Sequence, residues 1–81
     1  MRIVFEGDQL RSAAYDEEAL IGVCEFQSAD GVWTITHTEV DPAYGGQGIA
    51  RKLVMCVAEE ADRAGVGLAS VCSYAARVLG K

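Results

Sequence analysis

A glycine-rich segment, Gly45-Gly46-Gln47-Gly48-Ile49-Ala50, most constrains what this chain can fold into. It follows a strand-like run of alternating residues and precedes a run with helical periodicity. Its glycines permit a tight turn, and the first turn of the following helix leaves backbone N–H groups without intrahelical partners. Those donors, together with the helix dipole, can bind a phosphate group without a basic side chain. A glycine turn before a helix is also ordinary chain punctuation, so the segment alone leaves both interpretations open.

Size and charge limit the class of protein. The chain has 81 residues, about half of them apolar, and a net charge of −5. This predicts a single domain, 1–81, whose small core a partner subunit would help to stabilise, so a homodimer is possible. The acidic balance argues against non-specific nucleic-acid binding, which depends on a basic surface. No segment approaches the roughly 20 apolar residues of a membrane span, and the charged N-terminus does not resemble a signal peptide.

The cysteines do not form a recognisable pattern. Cys24, Cys56 and Cys72 are an odd number at unrelated spacings, and His37 is the only histidine. Without a CxxC pair or a histidine cluster, the sequence predicts no metal site. Reduced thiols in a cytoplasmic protein are the simplest explanation.

The first half of the chain reads as strands separated by turn signals, which predicts an antiparallel meander. The expected strands are Ile3–Phe5, Leu10–Tyr15, Ala19–Phe26 and Val32–Val40. Strict alternation in the last strand puts two sets of side chains on opposite faces. One face would carry Val32, Thr34, Thr36, Thr38 and Val40, and the other Trp33, Ile35, His37 and Glu39.

The second half predicts a strand–helix–strand crossover. Apolar residues at three- and four-residue steps indicate a helix from Ile49 to Ala64, with a buried stripe of Ile49, Leu53, Val57, Ala61 and Ala64. Gly65 would end it. Val66–Cys72 is a further strand candidate, and Tyr74–Leu79 a short helical or irregular tail. Because such a crossover joins parallel strands, we expect an α+β fold: a mixed, mostly antiparallel sheet with one main helix. The glycine segment and Cys72 would then share one edge of the sheet.

Neither of two common phosphate-binding loops fits the glycine segment. A Walker loop requires Gly-Lys-Ser/Thr after Gly and four residues, and no glycine here is followed by that pattern. A dinucleotide fingerprint counted from Gly46 requires a glycine where Arg51 stands.

The segment Gly46-Gln47-Gly48-Ile49-Ala50 instead resembles the pyrophosphate loop of Gcn5-related N-acetyltransferases, Arg/Gln-x-x-Gly-x-Gly/Ala. Gly48 and Ala50 take the last two places, and Gly45 stands where Arg or Gln is usual. Two further segments, His37-Thr38-Glu39-Val40 and Cys72-Ser73-Tyr74, resemble the HTxV and CxY motifs of the superfamily's minimal branch. The resemblance covers nearly the whole chain.

This resemblance implies a minimal acetyltransferase fold with acetyl-CoA as the cofactor. The pyrophosphate of coenzyme A would lie on the loop amides, and its pantetheine arm would pair with the strand backbone near Thr38–Val40. The cysteine of the CxY motif, here Cys72, is the catalytic residue proposed for this branch. The expected cofactor contacts are Thr38, Val40, Gly45, Gly46, Gln47, Gly48, Ile49, Ala50, Arg51, Ser73 and Tyr74.

Two mechanisms stay open for transfer of an acetyl group to an amine. In direct transfer, Glu39 or His37 takes the amine proton and a strand N–H near Val40 polarises the carbonyl. In the covalent route, Cys72 attacks first and carries the acetyl group. Tyr74 is either a general acid or a packing aromatic. More ordinary roles also stand beside the others: an inert buried Cys72 and a hydrogen-bonded structural His37.

The sequence therefore predicts an acetyl-CoA-dependent N-acetyltransferase whose acceptor is an amine of a small molecule, peptide or protein lysine. The alternatives are a non-catalytic CoA-binding module and a plain interaction domain in which the glycines form only a turn.

Overall fold

The computed structural model describes residues 1–80, which form a five-stranded sheet with helices. The elements are β1 (Arg2–Glu6), β2 (Arg11–Asp16), β3 (Ala19–Ala29), β4 (Val32–Val40), α1 (Ile49–Ala64), β5 (Gly67–Ser70) and α2 (Ser73–Leu79). The strands lie in sequence order. Neighbours are antiparallel from β1 to β4, and β4 and β5 are parallel. This confirms the predicted α+β fold with a mixed sheet and a β4–α1–β5 crossover.

Local sequence accounts for both ends of β4. The β3–β4 hairpin turns at Asp30 and Gly31, whose φ angles of 53° and 76° are those of a two-residue Asp-Gly turn that matches the strand twist. At the other end, Oδ1 of Asp41 accepts a hydrogen bond from the Ala43 N–H at 2.9 Å. That bond starts a short 3-10 turn, Pro42–Tyr44, which leads into the glycine segment.

Helix α1 has the predicted bounds and packs on one face of the sheet. Its buried residues are Ile49, Leu53, Val54, Val57 and Ala61. The prediction for Ala64 is wrong, because this residue lies exposed in the last turn. Gly65 ends the helix in the left-handed conformation, and its N–H donates to the carbonyls of Ala61 and Asp62. On the sheet side, the buried Ser12 hydroxyl donates to the Leu53 carbonyl at 2.8 Å and fixes the helix across β2.

Strand β5 is shorter than the predicted Val66–Cys72. The Ser70 hydroxyl accepts a hydrogen bond from the Cys72 N–H at 3.0 Å and donates to the Cys72 carbonyl at 2.8 Å. These bonds turn the chain out of the sheet after Ser70. Cys72 consequently precedes α2, and the tail from Ser73 to Leu79 is helical.

A β-bulge in β4 overturns the predicted face assignment. Glu25 pairs with His37, but the next residue of β3, Phe26, pairs with Ile35, so Thr36 is an extra residue. The bulge reverses the alternation. Ile35 is buried against the helices, and Thr38 lies on that same side, whereas His37 is exposed on the opposite face.

All three cysteines are unpaired thiols, with Cys24 buried and Cys56 and Cys72 partly buried. Among residues 1–80, no helix combines the length and apolar character needed to cross a membrane.

Replacing Leu53 with alanine tests the packing of α1 on the sheet. Leu53 is fully buried, so Leu53→Ala is expected to lower the free energy of unfolding by about 2–5 kcal/mol. Met55 lies on the same helix with 37% of its surface exposed, and Met55→Ala is the matched control. Urea denaturation followed by circular dichroism measures both, and similar losses in the two variants would contradict this packing.

Candidate functional site

An unpaired strand edge lies at the centre of the candidate site. Strand β5 follows β4 only from the Val32–Gly67 pair to the Ile35–Ser70 pair. The last bond between the two segments runs from the Val71 N–H to the Ile35 carbonyl at 3.0 Å. Within residues 1–80, no strand continues this pairing, so β4 and β5 separate beside the second half of β4.

The backbone groups on that edge can be assigned from the register. The Asp41 N–H donates to the Ile21 carbonyl at 2.8 Å, across the β3–β4 ladder. Because hydrogen-bonded and non-hydrogen-bonded positions alternate along an antiparallel pair, Glu39 also faces β3 with its backbone. The N–H and C=O groups of Thr38 and Val40 therefore point to the unpaired edge. This is the strand segment in which the family resemblance implies backbone contacts to a cofactor.

The glycine segment forms the turn between β4 and α1. Gly46 and Gly48 have φ angles of 78° and 73°, which favour glycine over other residues. Nothing lies within 4 Å of the position a Cβ would take on either one, so the backbone is open on this side. Gly48 precedes α1 without a side-chain cap, and its carbonyl accepts the first helical bond from the Lys52 N–H at 3.1 Å.

A hollow of about 170 Å³ lies between the glycine segment, the unpaired edge and α2. It is lined by Val40, Tyr44, Gly45, Gly46, Gln47, Gly48, Ile49, Ala50 and Tyr74. The side chain of Ile49 is buried in the core, so this residue can offer only its backbone to the hollow. The hollow therefore brings together most of the predicted cofactor contacts.

Basic residues lie at the helix end that borders the hollow, and the Asp16 carboxylate lies against Tyr44, which also lines it. The first turn of α1 contains no acidic residue, and it carries the exposed Arg51 and Lys52. Cations at this end of a helix oppose the helix dipole unless an anion is bound there. On the other side, the Arg77 guanidinium lies 5.9 Å from the ring centroid of Tyr74, which lines the hollow. Arg77 was not among the predicted contacts, although its spacing of three residues from Tyr74 places the two side chains together once the tail is helical.

Cys72 stands at the far end of the unpaired edge, against Thr38. Its Sγ donates to Thr38 Oγ1 at 3.8 Å. Partial burial raises the pKa of the Cys72 thiol, but the Ala75 N–H, the Thr38 hydroxyl and two further N–H groups outweigh this effect, so the pKa is lowered. Two of these N–H groups belong to the first turn of α2, although Cys72 forms no capping hydrogen bond. A lowered pKa favours the thiolate, which is the nucleophilic form.

His37 and Glu39 lie on the other face of β4. The His37 Nε2 and the Glu39 Oε1 are 3.3 Å apart, and the side chains are 52% and 73% exposed. Thr38 stands between them in sequence and points its side chain to Cys72, so the structure does not bring His37 to Cys72. Glu39 instead borders a groove of about 550 Å³ with Leu20, Val23 and Asp41. Val40 lines both this groove and the hollow.

The predicted cofactor contacts outside the hollow are Thr38, Arg51 and Ser73. Thr38 meets the unpaired edge with its backbone, Arg51 is exposed in the first turn of α1, and Ser73 is the exposed first residue of α2.

Two supporting contacts escaped the sequence analysis. Ser70 holds the backbone of Cys72 through the two hydrogen bonds described above. The Tyr44 hydroxyl donates to the Asp16 carboxylate, which ties the β2–β3 turn to the start of the glycine segment and raises the pKa of Tyr44. The Tyr44–Asp16 contact depends on strand register, which no local pattern indicates. The Ser70–Cys72 contact is a local serine turn, whose signal is a serine two residues before the residue that it holds.

Comparison with known proteins identifies the family. The sequence model of the GCN5-related N-acetyl-transferase family matches residues 11–81. This chain belongs to that family. No curated protein matches it. Among solved structures, it is similar to the ribosomal-protein-alanine N-acetyltransferase from Brucella melitensis biovar Abortus 2308, with 19% identity and a TM-score of 0.66. The match covers 84% of this chain and 58% of that protein, so the chain spans less than two thirds of the relative's length.

The different surroundings of the three cysteines predict different rates of thiol alkylation. We expect iodoacetamide near neutral pH to modify Cys72 faster than Cys56 and Cys24. The reason is that the pKa of Cys72 is lowered, whereas burial and nearby glutamates raise that of Cys56, and burial raises that of Cys24 to about 11. Mass spectrometry of each cysteine peptide against time measures the three rates. Equal or faster modification of Cys56 would contradict this ordering.

Proposed function

We propose that this chain is an acetyl-CoA-dependent N-acetyltransferase that transfers the acetyl group to an amine. One observation carries the proposal: the unpaired edge of β4 runs from the glycine segment to Cys72, with the backbone groups of Thr38 and Val40 directed to it. Backbone amides at one end suit a diphosphate, and a thiol of lowered pKa at the other end suits a thioester. Acetyl-CoA contains both groups, and it supplies the activated acetyl group.

Different residues of the site would bind different parts of acetyl-CoA. The amides from Gly46 to Ala50 would receive the pyrophosphate, and Arg51 would add a cation at its side. The Val40 backbone and the Thr38 carbonyl would hydrogen-bond the amide groups of the pantetheine arm, as a partner strand would, while the Thr38 N–H stays with the Cys72 sulfur. A strand N–H on this edge would also stabilise the negative charge that develops on the acetyl carbonyl. The net charge of −5 makes such local donors necessary, because the protein's overall field repels an anion.

The groove beside Glu39 is the proposed acceptor site. It combines the apolar Leu20 and Val23 with two carboxylates, Glu39 and Asp41, and it meets the hollow at Val40. A cationic amine would enter next to a carboxylate, which is the group needed to accept its proton. The relative's acceptor, an alanine of a ribosomal protein, cannot be assigned to this chain, because at 19% identity the likeness concerns the fold.

Two routes of transfer are compatible with this arrangement. In the covalent route, the Cys72 thiolate forms a bond to the acetyl carbon as the bond from that carbon to the CoA sulfur breaks, and the CoA thiolate takes up a proton. The amine then attacks the acetyl carbon on Cys72, the C–N bond forms as the bond from that carbon to Sγ breaks, Cys72 leaves as the thiolate, and the nitrogen gives up its proton to solvent. In the direct route the amine attacks the thioester itself, and Glu39 takes its proton. The position of Cys72 favours the first route, and the position of Glu39 beside the groove favours the second.

A non-catalytic CoA-binding module is the second candidate. It is favoured by the separation of Cys72 from the exposed His37–Glu39 pair, which leaves the thiol with a hydroxyl rather than a base as its side-chain partner. Release of free CoA in the presence of mixed amines distinguishes the two functions. Tight binding of acetyl-CoA without any release above the uncatalysed rate would favour the module.

Substitution of Gly48 tests the diphosphate site. Gly48→Ala adds a side chain where the backbone has a φ of 73° and shifts the amides at the start of α1. We expect acetyl-CoA to bind at least about tenfold more weakly, which corresponds to the loss of one hydrogen bond to a charged group. Isothermal titration calorimetry measures the affinity.

Gly31→Ala is the control for backbone strain, since Gly31 has a φ of 76° and open space around it but lies in the β3–β4 turn. This variant is expected to bind acetyl-CoA as the unmodified protein does. Equal weakening in both variants, or no heat with the unmodified protein at high micromolar acetyl-CoA, would reject the proposed site.

An acetyl adduct distinguishes the two routes. If Cys72 carries the acetyl group, incubation with acetyl-CoA without an amine should add one acetyl group to the intact protein. Mass spectrometry would place it on Cys72, and Cys72→Ala should abolish it. Cys56→Ala, which removes a thiol outside the site, is expected to keep the adduct. Full turnover by Cys72→Ser would instead assign the reaction to direct transfer.

A further inference from the structure

A chain of three side chains crosses the sheet beside the site. Thr38 on β4 is the cross-strand partner of Cys24 on β3, so their side chains project from the same face. The Thr38 hydroxyl donates to Cys24 Sγ, with 3.6 Å between Oγ1 and sulfur. On its other side, Thr38 Oγ1 accepts from Cys72 Sγ at 3.8 Å. Thr38 therefore connects a partly exposed thiol in the site to a thiol that is fully buried in the core.

The direction of the hydrogen bonds depends on how many protons the chain holds. A hydroxyl has one proton to donate and lone pairs that accept. With both thiols neutral, Cys72 donates to Thr38 and Thr38 donates to Cys24. Once Cys72 has lost its proton, its sulfur can only accept. Both bonds survive if the Thr38 O–H turns to Cys72 and the Cys24 S–H turns to Thr38 Oγ1.

We propose that Cys24 and Thr38 are positioning residues whose hydrogen-bond chain reverses when Cys72 ionises, and that this reversal stabilises the Cys72 thiolate. The reversal requires Cys24 to keep its proton. Burial raises the pKa of Cys24 to about 11, so the thiol stays neutral throughout the range in which Cys72 titrates. No proton leaves the chain in this step except the one that Cys72 gives to solvent.

The surrounding charges act in the same direction. The ionisable groups that act on Cys24 are Cys72, Cys56 on α1 and the neighbouring Glu25 on β3, and all three raise its pKa. Around Cys72, the N–H groups of Ala75, Tyr74 and Thr38 favour its thiolate. Thr38 thus offers the Cys72 sulfur both a backbone N–H and a hydroxyl. The Cys24 S–H donates to Thr38 Oγ1 and keeps its proton, while the Thr38 O–H donates to Cys72.

The pH dependence of alkylation tests this inference. The rate at which iodoacetamide modifies Cys72 is measured by mass spectrometry over a series of pH values, and its midpoint gives the pKa of Cys72. Thr38→Val keeps the branched shape but removes the hydroxyl. The midpoint is expected to rise by about one pH unit, the effect of losing a hydrogen bond to a charged group. Thr38→Ser keeps the hydroxyl and should restore the original midpoint.

Two further variants examine Cys24. Cys24→Ala removes the donor behind Thr38, so the midpoint should rise by less than in Thr38→Val. Cys24→Ser keeps a donor and should leave the midpoint close to its original value. This pair carries the test if Thr38→Val fails to give the circular dichroism spectrum of the folded protein.

Thr34→Val is the matched control, because Thr34 belongs to the same strand but pairs with Gln27, before the bulge. An unchanged midpoint in folded Thr38→Val, or an equal rise in Thr34→Val, would overturn the inference. So would equal midpoints in Cys24→Ala and Cys24→Ser. The inference rests on the proposed function only in treating Cys72 as part of the transfer site. Alkylation needs no acetyl-CoA, so failure of the cofactor to bind would leave this result intact.

Discussion

The separation of β4 from β5 after Ile35 is the constraint on which the rest of the site depends. In a continuous parallel pair, the N–H and C=O groups of Thr38 and Val40 would be occupied by a neighbouring strand. Here the Ser70 hydroxyl closes a turn around Cys72, and the chain leaves the sheet to begin α2. Two properties of the site follow from this one departure. The strand edge becomes available to an extended ligand, and Cys72 is held beside Thr38 rather than at the tip of a longer strand.

The hydrophobic core holds α1 in a fixed position relative to β4 and thereby positions the glycine segment between them. The glycine segment has few side chains of its own, so its position depends on the elements at its two ends. Helix α1 is anchored by a buried stripe that includes Leu53 and by the bond from Ser12 to the Leu53 carbonyl. The segment's other end is tied through Tyr44 to Asp16. Preorganised backbone donors bind an anion more effectively than mobile ones, because less order has to be imposed on binding. In the proposed function, residues remote from the ligand would thus contribute to its affinity.

The sequence could predict elements that depend on local patterns, but not those that depend on register. Helical periodicity and Gly65 correctly placed both ends of α1, and turn residues correctly indicated the meander. The faces of β4 were predicted wrongly, because an extra residue at Thr36 can be recognised only from the pairing with β3. The same bulge explains why His37 and Glu39 lie apart from Cys72. The contact of Cys24 with Thr38 was missed for a related reason, since it depends on which residues of two strands lie opposite each other.

The bulge also gives the two faces of β4 different chemistry. After Thr36, alternation assigns Thr38 and Val40 to the side of the helices, and Glu39 to the open face of the sheet. The Thr38 hydroxyl and the Cys72 thiol are therefore on one side of β4, the carboxylate of Glu39 is on the other, and the backbone groups of Thr38 and Val40 point to the edge between them. Val40 borders both the hollow and the groove, so the two ligands would meet across the thickness of one strand. Without the extra residue, His37 and Glu39 would face the helices and compete with Cys72 for the same space. In the proposed function, this one-residue irregularity would separate the side of β4 that binds the cofactor from the side that binds the acceptor.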